Sequence, residues 1–373
     1  MAHSTRMTPP WRIRTAVTLG WLIVLSGCGG SEAPQEVPVE RVSADRLLQK
    51  GEVDNALDIW SKRYAADPTS TSSATGLAYG AILEGEYAKA DRLLEKVEGL
   101  AGENKDLLGD TRLRRVLVAI EQLKDPNNAG DAPLLLERIA ELGQKSGWPQ
   151  GQVLAAEALL CLEEIEDAEA LLTGLGSQEG AVGRAAKTYT QRISEDGESW
   201  QRLAEAEACW AVGQYQWPME TIVDTFKGLK KMVHSGNEWE MRGDEEAVVW
   251  ASRAIRQGQL DVAEKLLKYN SNFDASQRWR VAATKAHLAC AQGDVRRCVS
   301  KLKALKSDVP LGASDARVMG AFLLGSQHAE AALELLAEDQ TVPAAFVAGL
   351  LAGPEAALRH APESDFKDSI GRE

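Results

Sequence analysis

The sequence predicts an all-α chain in which antiparallel helix pairs stack into an α-solenoid. Three observations carry that expectation. A Gly-Glu turn recurs with its surroundings: Gly51, Ala56 and Trp60 are followed, each 34 residues later, by Gly85, Ala90 and Leu94. The 373 residues are rich in Ala, Leu, Glu and Gly, and the first three favour helix. Runs of Val, Ile or Thr with period-two alternation, the mark of half-buried strands, are missing. About eight pairs are expected, over residues 44–360.

Residues 1–27 read as a targeting segment ahead of this array. Arg6, Arg12 and Arg14 precede Thr15–Gly27, which is mostly apolar and uncharged. That run is shorter than the ~20 residues needed to span a bilayer. It closes on Leu25-Ser26-Gly27-Cys28, where small residues let a peptidase reach the backbone. The order resembles the bacterial lipoprotein signal. The resemblance implies cleavage before Cys28, a diacylglycerol on its sulfur and a further acyl chain, which together anchor stably to a membrane. Gly29 follows instead of Asp, so the resemblance favours the outer membrane, with the body in the periplasm or on the cell surface. Residues 28–43 are then the lipidated cysteine and a flexible tether rich in Gly, Pro, Glu and Val. No later stretch is apolar enough to span a bilayer.

The repeats follow in order. Lys50-Gly-Glu-Val-Asp-Asn-Ala56, with Trp60 and Pro68, is the first; Glu84-Gly-Glu-Tyr-Ala-Lys-Ala90, with Leu94, is the second. Ala132, Leu136 and Ile139 mark a third second-helix after a longer loop at Asp125–Asn128. Glu163–Ala168 with Leu172 gives a fourth turn, and Gly213-Gln-Tyr215 a fifth. There Pro218 takes the small-residue position, which suits proline only in the first turn of a helix. Gly258 and Ala263 give a sixth, Gly293 and Cys298 a seventh. Ser314–Leu324 with Ala329–Ala337 forms an eighth pair, Pro343–Ala352 with Glu355–Arg359 a short closing one, and 361–373 a polar tail. Glycine at the turn, a small residue five later and a large one nine later resemble the tetratricopeptide repeat. The resemblance implies that glycine makes the tight turn between helices A and B, that the small residue lets them approach, and that the large one fills the gap. Apolar residues at helical spacing (Ile82 and Leu83; Leu93, Leu94 and Val97) give each pair a face that only the next pair can cover.

The net charge of −13 disfavours nucleic acid and suits basic partners. Besides Cys28 there are Cys161, Cys209, Cys290 and Cys298, without CxxC or metal-ligand spacing. An exported chain meets an oxidising compartment, and Cys290 and Cys298 flank one turn, so a disulfide between them is a candidate; small buried thiols are the alternative. The five histidines are scattered, and HExxH, GxxxxGK(S/T), GxSxG and a dinucleotide loop are absent. No enzyme activity, cofactor or metal site is expected. The acidic pairs Glu163-Glu164 and Glu245-Glu246 read as solvated or helix-start charges.

Partner binding has one candidate region. Trp200, Trp210, Tyr215, Trp217, Trp239 and Trp250 fall in one stretch, and Lys230–Trp239 interrupts the rhythm. Trp210, Tyr215, Trp217 and Trp239 are its candidate contact residues; packing between helices is the alternative. The resemblance implies a lipid-anchored interaction scaffold of the bacterial cell envelope that docks peptide or helical segments of other envelope proteins. The alternative is a carbohydrate-binding adaptor for peptidoglycan or exported polysaccharide, since indoles stack on sugar rings.

Overall fold

The computed structural model describes residues 44, 46–48, 50–194, 198–232, 239–269, 278–305, 310–325, 327–337 and 339–360. Residues 1–43, on which the expected signal segment, Cys28 and the expected tether fall, and residues 361–373 lie outside the described residues. Within them every regular element is a helix.

One kind of turn generates six of the hairpins. In each, the residue after a left-handed position donates its N–H to a carbonyl five residues back: Glu52 to Leu47, Glu86 to Ala81, Glu164 to Leu159, Gln214 to Cys209, Gln259 to Ala254 and Asp294 to Ala289, all at 2.7–2.9 Å. This bond satisfies a carbonyl that the ending helix leaves free, and it folds the chain back at once. The left-handed residue is glycine at 51, 85, 213, 258 and 293, with φ +72° at Gly258 and +78° at Gly293. Glu163 takes the same place with φ 64°, as the one non-glycine residue at positive φ among those described.

The following helix is seated by two positions. Five residues after the turn, Ala56, Ala90, Ala168, Ala263 and Cys298 are fully buried. Nine after it, Trp60, Leu94, Leu172, Ile222, Leu267 and Leu302 are buried as well. Small side chains let two backbones approach, and the large ones fill what remains. A Cβ on Gly76 would sit 2.2 Å from the Trp60 ring, and one on Gly320 2.2 Å from Leu302 Cδ1. Pro218 is buried within the first turn of its helix, where no intrahelical N–H is lost.

The chain divides into two compact units, Met1–Gln191 with Ala208–Gln214, and Arg192–Glu207 with Tyr215–Glu373. The first contains α1 (Val53–Ala66), α2 (Thr71–Leu83), α3 (Tyr87–Leu100), α4 (Lys105–Leu123), α5 (Ala132–Ser146), α6 (Pro149–Cys161) and α7 (Ile165–Leu175). Each packs on the next, and α4 also meets α6. A 3₁₀ turn at Pro126–Asp131 lengthens the α4–α5 connection. An ion network binds three of these helices. Arg115 on α4 donates to Asp91 Oδ1 (3.0 Å), Glu98 Oε2 (2.7 Å) and Glu95 Oε1 (3.2 Å) of α3, while Arg138 on α5 also holds Asp91. Arg112 donates to Glu98 (2.7 Å) and to the Lys145 carbonyl (2.7 Å). Burial alone would raise the Glu98 carboxyl, but bonds from Arg112 and Arg115 hold it below its usual range.

Helices α8 (Gly180–Ser194) and α9 (Glu198–Ala211) follow. The repeat pattern does not anticipate α8, which lies between the second helix of one hairpin and the first of the next. The second unit continues through α10 (Gln216–Met232), α11 (Trp239–Arg256), α12 (Leu260–Leu266), α13 (Arg278–Ala291), α14 (Val295–Lys303), α15 (Pro310–Gly325), α16 (Ala329–Leu336), α17 (Val342–Ala352) and α18 (Pro354–His360). First helices pack on first helices (α11 on α13, α13 on α15, α15 on α17) and second on second (α10 on α12, α14 on α16). One apolar cluster runs through α13–α18, from Ala283 to Ala356, so these hairpins share a core.

Two polar contacts fix that stack. His287 on α13 is buried, and its Nε2 donates to the Ala316 carbonyl of α15 at 2.8 Å. Burial pushes the imidazole pKa down, so the neutral tautomer with hydrogen on Nε2 fits this bond. Arg317 on α15 grips Asp339 with two bonds, 2.8 and 2.6 Å, at the α16–α17 connection.

Candidate functional site

The residues singled out in the sequence fall in three groups. The turn and packing residues Gly51, Ala56, Gly85, Ala90, Gly258, Ala263, Gly293 and Cys298 lie at hairpin turns and at the buried seats beyond them. Cys290 at the end of α13 and Cys298 on α14 form a disulfide. Cys28 lies outside the described residues.

The aromatic stretch divides by burial. Trp200 is 7 % exposed and Trp250 is fully buried; Trp210, Tyr215 and Trp217 are half-buried. Trp239 is the first residue of α11, and its side chain lies outside the described part, as do residues 233–238 of the interrupting segment. Trp250 lies under the Arg253 guanidinium, 4.4 Å from the ring centre.

Around Trp250 the second unit holds four charges from three helices. Arg192 at the end of α8 pairs with Glu207 of α9 and Glu246 of α11, and Arg253 lies 3.6 Å from Glu207. The expectation of a solvated Glu245-Glu246 pair therefore fails at Glu246. Glu245 is exposed, but the next residue on the helix turns toward the protein. Glu246 Oε2 is buried without a hydrogen-bond partner. Loss of solvent pushes its pKa up to about 7, against the opposing pull of Arg192.

A second disulfide, Cys161–Cys209, was not legible in the sequence. Its partners are 48 residues apart, so no local spacing points to it. Both lie shortly before a hairpin turn, one at the end of α6 and one near the end of α9.

The apolar surface concentrates at the last pairs. Val342, Phe346 and Leu350 on α17 are 56, 55 and 48 % exposed, and Phe322 on the adjoining α15 is 47 % exposed. Positions 342, 346 and 350 fall at i, i+4 and i+8, on one stripe of the helix. The opposite side of α17 is buried through Ala344, Ala345, Val347 and Ala348. Gly325 of α15 lets Leu351 come so near that an added Cβ would meet Leu351 Cδ2 at 2.5 Å. A helix apolar on every side is normally enclosed, and α17 (VPAAFVAGLLA) has no charged residue. That composition is the signal in the sequence that could have found the stripe; tryptophan density pointed elsewhere. The arrangement suits burial of an apolar helix face or peptide.

Among the described residues no helix is long and apolar enough to cross a membrane. Comparison with family models and with curated protein sequences returns no match.

Proposed function

We propose that the chain is a lipid-anchored, tetratricopeptide-like scaffold of the bacterial cell envelope that binds segments of other envelope proteins. Its action is non-covalent binding, without catalysis or cofactor. The acyl chains on Cys28 would hold it at the membrane, the outer membrane by the residue at 29, and the helical body would select the partner. The observation that carries the binding reading is the exposed stripe Val342, Phe346 and Leu350 beside Phe322. Such a stripe fits the apolar face of an amphipathic helix or short peptide. The export reading draws support from the disulfides Cys161–Cys209 and Cys290–Cys298, which persist in oxidising compartments.

Two measurements test this. A photo-cross-linking residue at 346, used in the native host, should trap an envelope protein, and Leu350→Asp in the same chain should abolish the adduct. Trapping unchanged by Leu350→Asp, or no adduct, would remove the stripe as the docking surface. For the address, Cys28→Ala should release the protein from the membrane fraction. A mature N-terminus carrying an unmodified Cys28 thiol would end the anchoring claim.

A further inference from the structure

Two hairpins each place a run of like charges on an exposed arc. In the fourth turn, Glu163 takes the left-handed position that is glycine in the other five. A side chain there is strained, and this one is exposed. Glu163 heads a run with Glu164, Glu166, Asp167 and Glu169, all exposed at or on α7. None of the five forms an ion pair among the described residues, and residues 146–183 contain no Lys or Arg.

The second arc is on α14. Asp54, Glu166, Asp167, Asp261 and Glu330 place acids in the first turns of α1, α7, α12 and α16, as the helix dipole favours. At α14 the acid is the N-cap Asp294, whose Oδ1 accepts the Arg297 N–H at 3.1 Å, and the first turn beyond it carries Arg296 and Arg297, both exposed. At about 3.6 residues per turn, Lys303, Arg296, Ser300, Arg297 and Lys301 fill the solvent side of α14, opposite the buried Cys298 and Leu302. Lys303 pairs with Glu334 at 2.5 Å. Arg296, Arg297 and Lys301 form no ion pair among the described residues. The Cys290–Cys298 bond staples this helix to α13 and holds the arc in place.

Positions that depart from local preference without a packing reason mark function. An uncompensated acidic arc and a largely uncompensated basic arc on one chain are complementary surfaces. We propose that one copy of this chain binds a second through them, the acidic α7 of one against the basic α14 of the other. Neither arc has a large apolar residue at its exposed positions, so the contact is electrostatic, salt-sensitive and fast to form. Chains held on one membrane would meet at high local concentration, which suits a weak contact. The net charge of −13 weighs against a nucleic acid as the occupant of α14.

The test is a charge swap on the full-length chain in excess non-ionic detergent, followed by sedimentation velocity. The sedimentation coefficient should rise with concentration in low salt and the rise should vanish in 0.5 M salt, which is about the range where screening shortens to a few ångströms. Arg296→Glu with Arg297→Glu should abolish the rise, as should Glu166→Lys with Asp167→Lys. Mixing those two variants should restore association, because each then carries the complement of the other. Unchanged circular dichroism of both variants separates loss of contact from loss of fold. A monomer at every concentration in low salt would overturn the proposal, as would association that survives both reversals or fails to return in the mixture. A monomer that instead binds anionic phospholipid vesicles through Arg296 and Arg297 would also overturn it and assign the basic arc to a lipid surface.

Discussion

Glu163→Gly is a substitution whose effect follows from backbone geometry alone. Glu163 holds φ 64° in a turn whose five counterparts are glycine, and its N–H and that of Glu164 are bonded to Leu160 and Leu159 as in the others. The side chain is exposed and makes no ion pair, so removing it sacrifices no described contact. A left-handed conformation costs a non-glycine residue about 1–2 kcal/mol. Glycine returns part of that as unfolded-chain entropy, about 0.5–1 kcal/mol. The net expectation is a gain of about 1 kcal/mol in unfolding free energy. Relief of repulsion among the five carboxylates adds slightly to it. Two controls isolate the cause. Glu163→Ala removes the charge and keeps the strain, so it should fall within about 0.5 kcal/mol of the parent. Gly258→Ala is the reverse experiment: a Cβ there meets nothing within 4 Å, so only the φ of +72° penalises it, and it should lose about 1 kcal/mol. Urea denaturation followed by far-ultraviolet circular dichroism reads all three as midpoint shifts at unchanged slope. A destabilised Glu163→Gly, or a neutral Gly258→Ala, would refute the assignment of these residues to one strained turn. In the charge-swap experiment, Glu163→Gly should also weaken self-association while strengthening the fold.

Other outcomes follow from the packing. Gly76→Ala should cost about 1–3 kcal/mol in urea denaturation, because the new Cβ lies 2.2 Å from the Trp60 ring. Arg115→Ala should lose about 3 kcal/mol or more, leaving Asp91 and Glu98 partly buried with fewer partners; a loss under about 1 kcal/mol would show the network to be dispensable. Replacing Cys161 and Cys209 by alanine should cost more than replacing Cys290 and Cys298, about 4 against about 2.5 kcal/mol on chain-entropy grounds, since the first loop is longer. Glu246 has a folded pKa near 7, above its unfolded value, so the folded state binds the proton more tightly. Its contribution is present below the unfolded carboxylate value and is lost as pH rises toward 7. Glu246→Gln should therefore gain stability relative to the parent progressively across that window, measured as the difference in urea midpoint; a difference independent of pH would contradict the shifted carboxyl.

The helical class, the hairpin turns and the buried seats beyond them were readable because each depends on a few neighbouring residues. A glycine, a small residue five on and a large one nine on describe a single turn and its first contact, and Gly258, Ala263 and Leu267 satisfy that pattern without knowledge of any other hairpin. Pro218 was legible in the same way, since its tolerance depends only on the first turn of α10. What the sequence could not decide were matters settled between elements. Helix α8 has no such turn to announce it. Cys161 and Cys209 meet only because two first helices are brought together over 48 residues. Glu246 reads as a surface acid until Arg192, from another helix, lies against it. The tryptophans of α9 to α11 read as a contact surface or as helix packing, and only the fold separates them: Trp200 and Trp250 are buried, while Trp210 and Trp217 keep part of their surface. The exposed stripe of α17 exists because α15, α16 and α18 cover its other sides and leave this one open. Periodicity places a residue on a face of its own helix; only the neighbours packed around that helix determine which face meets solvent.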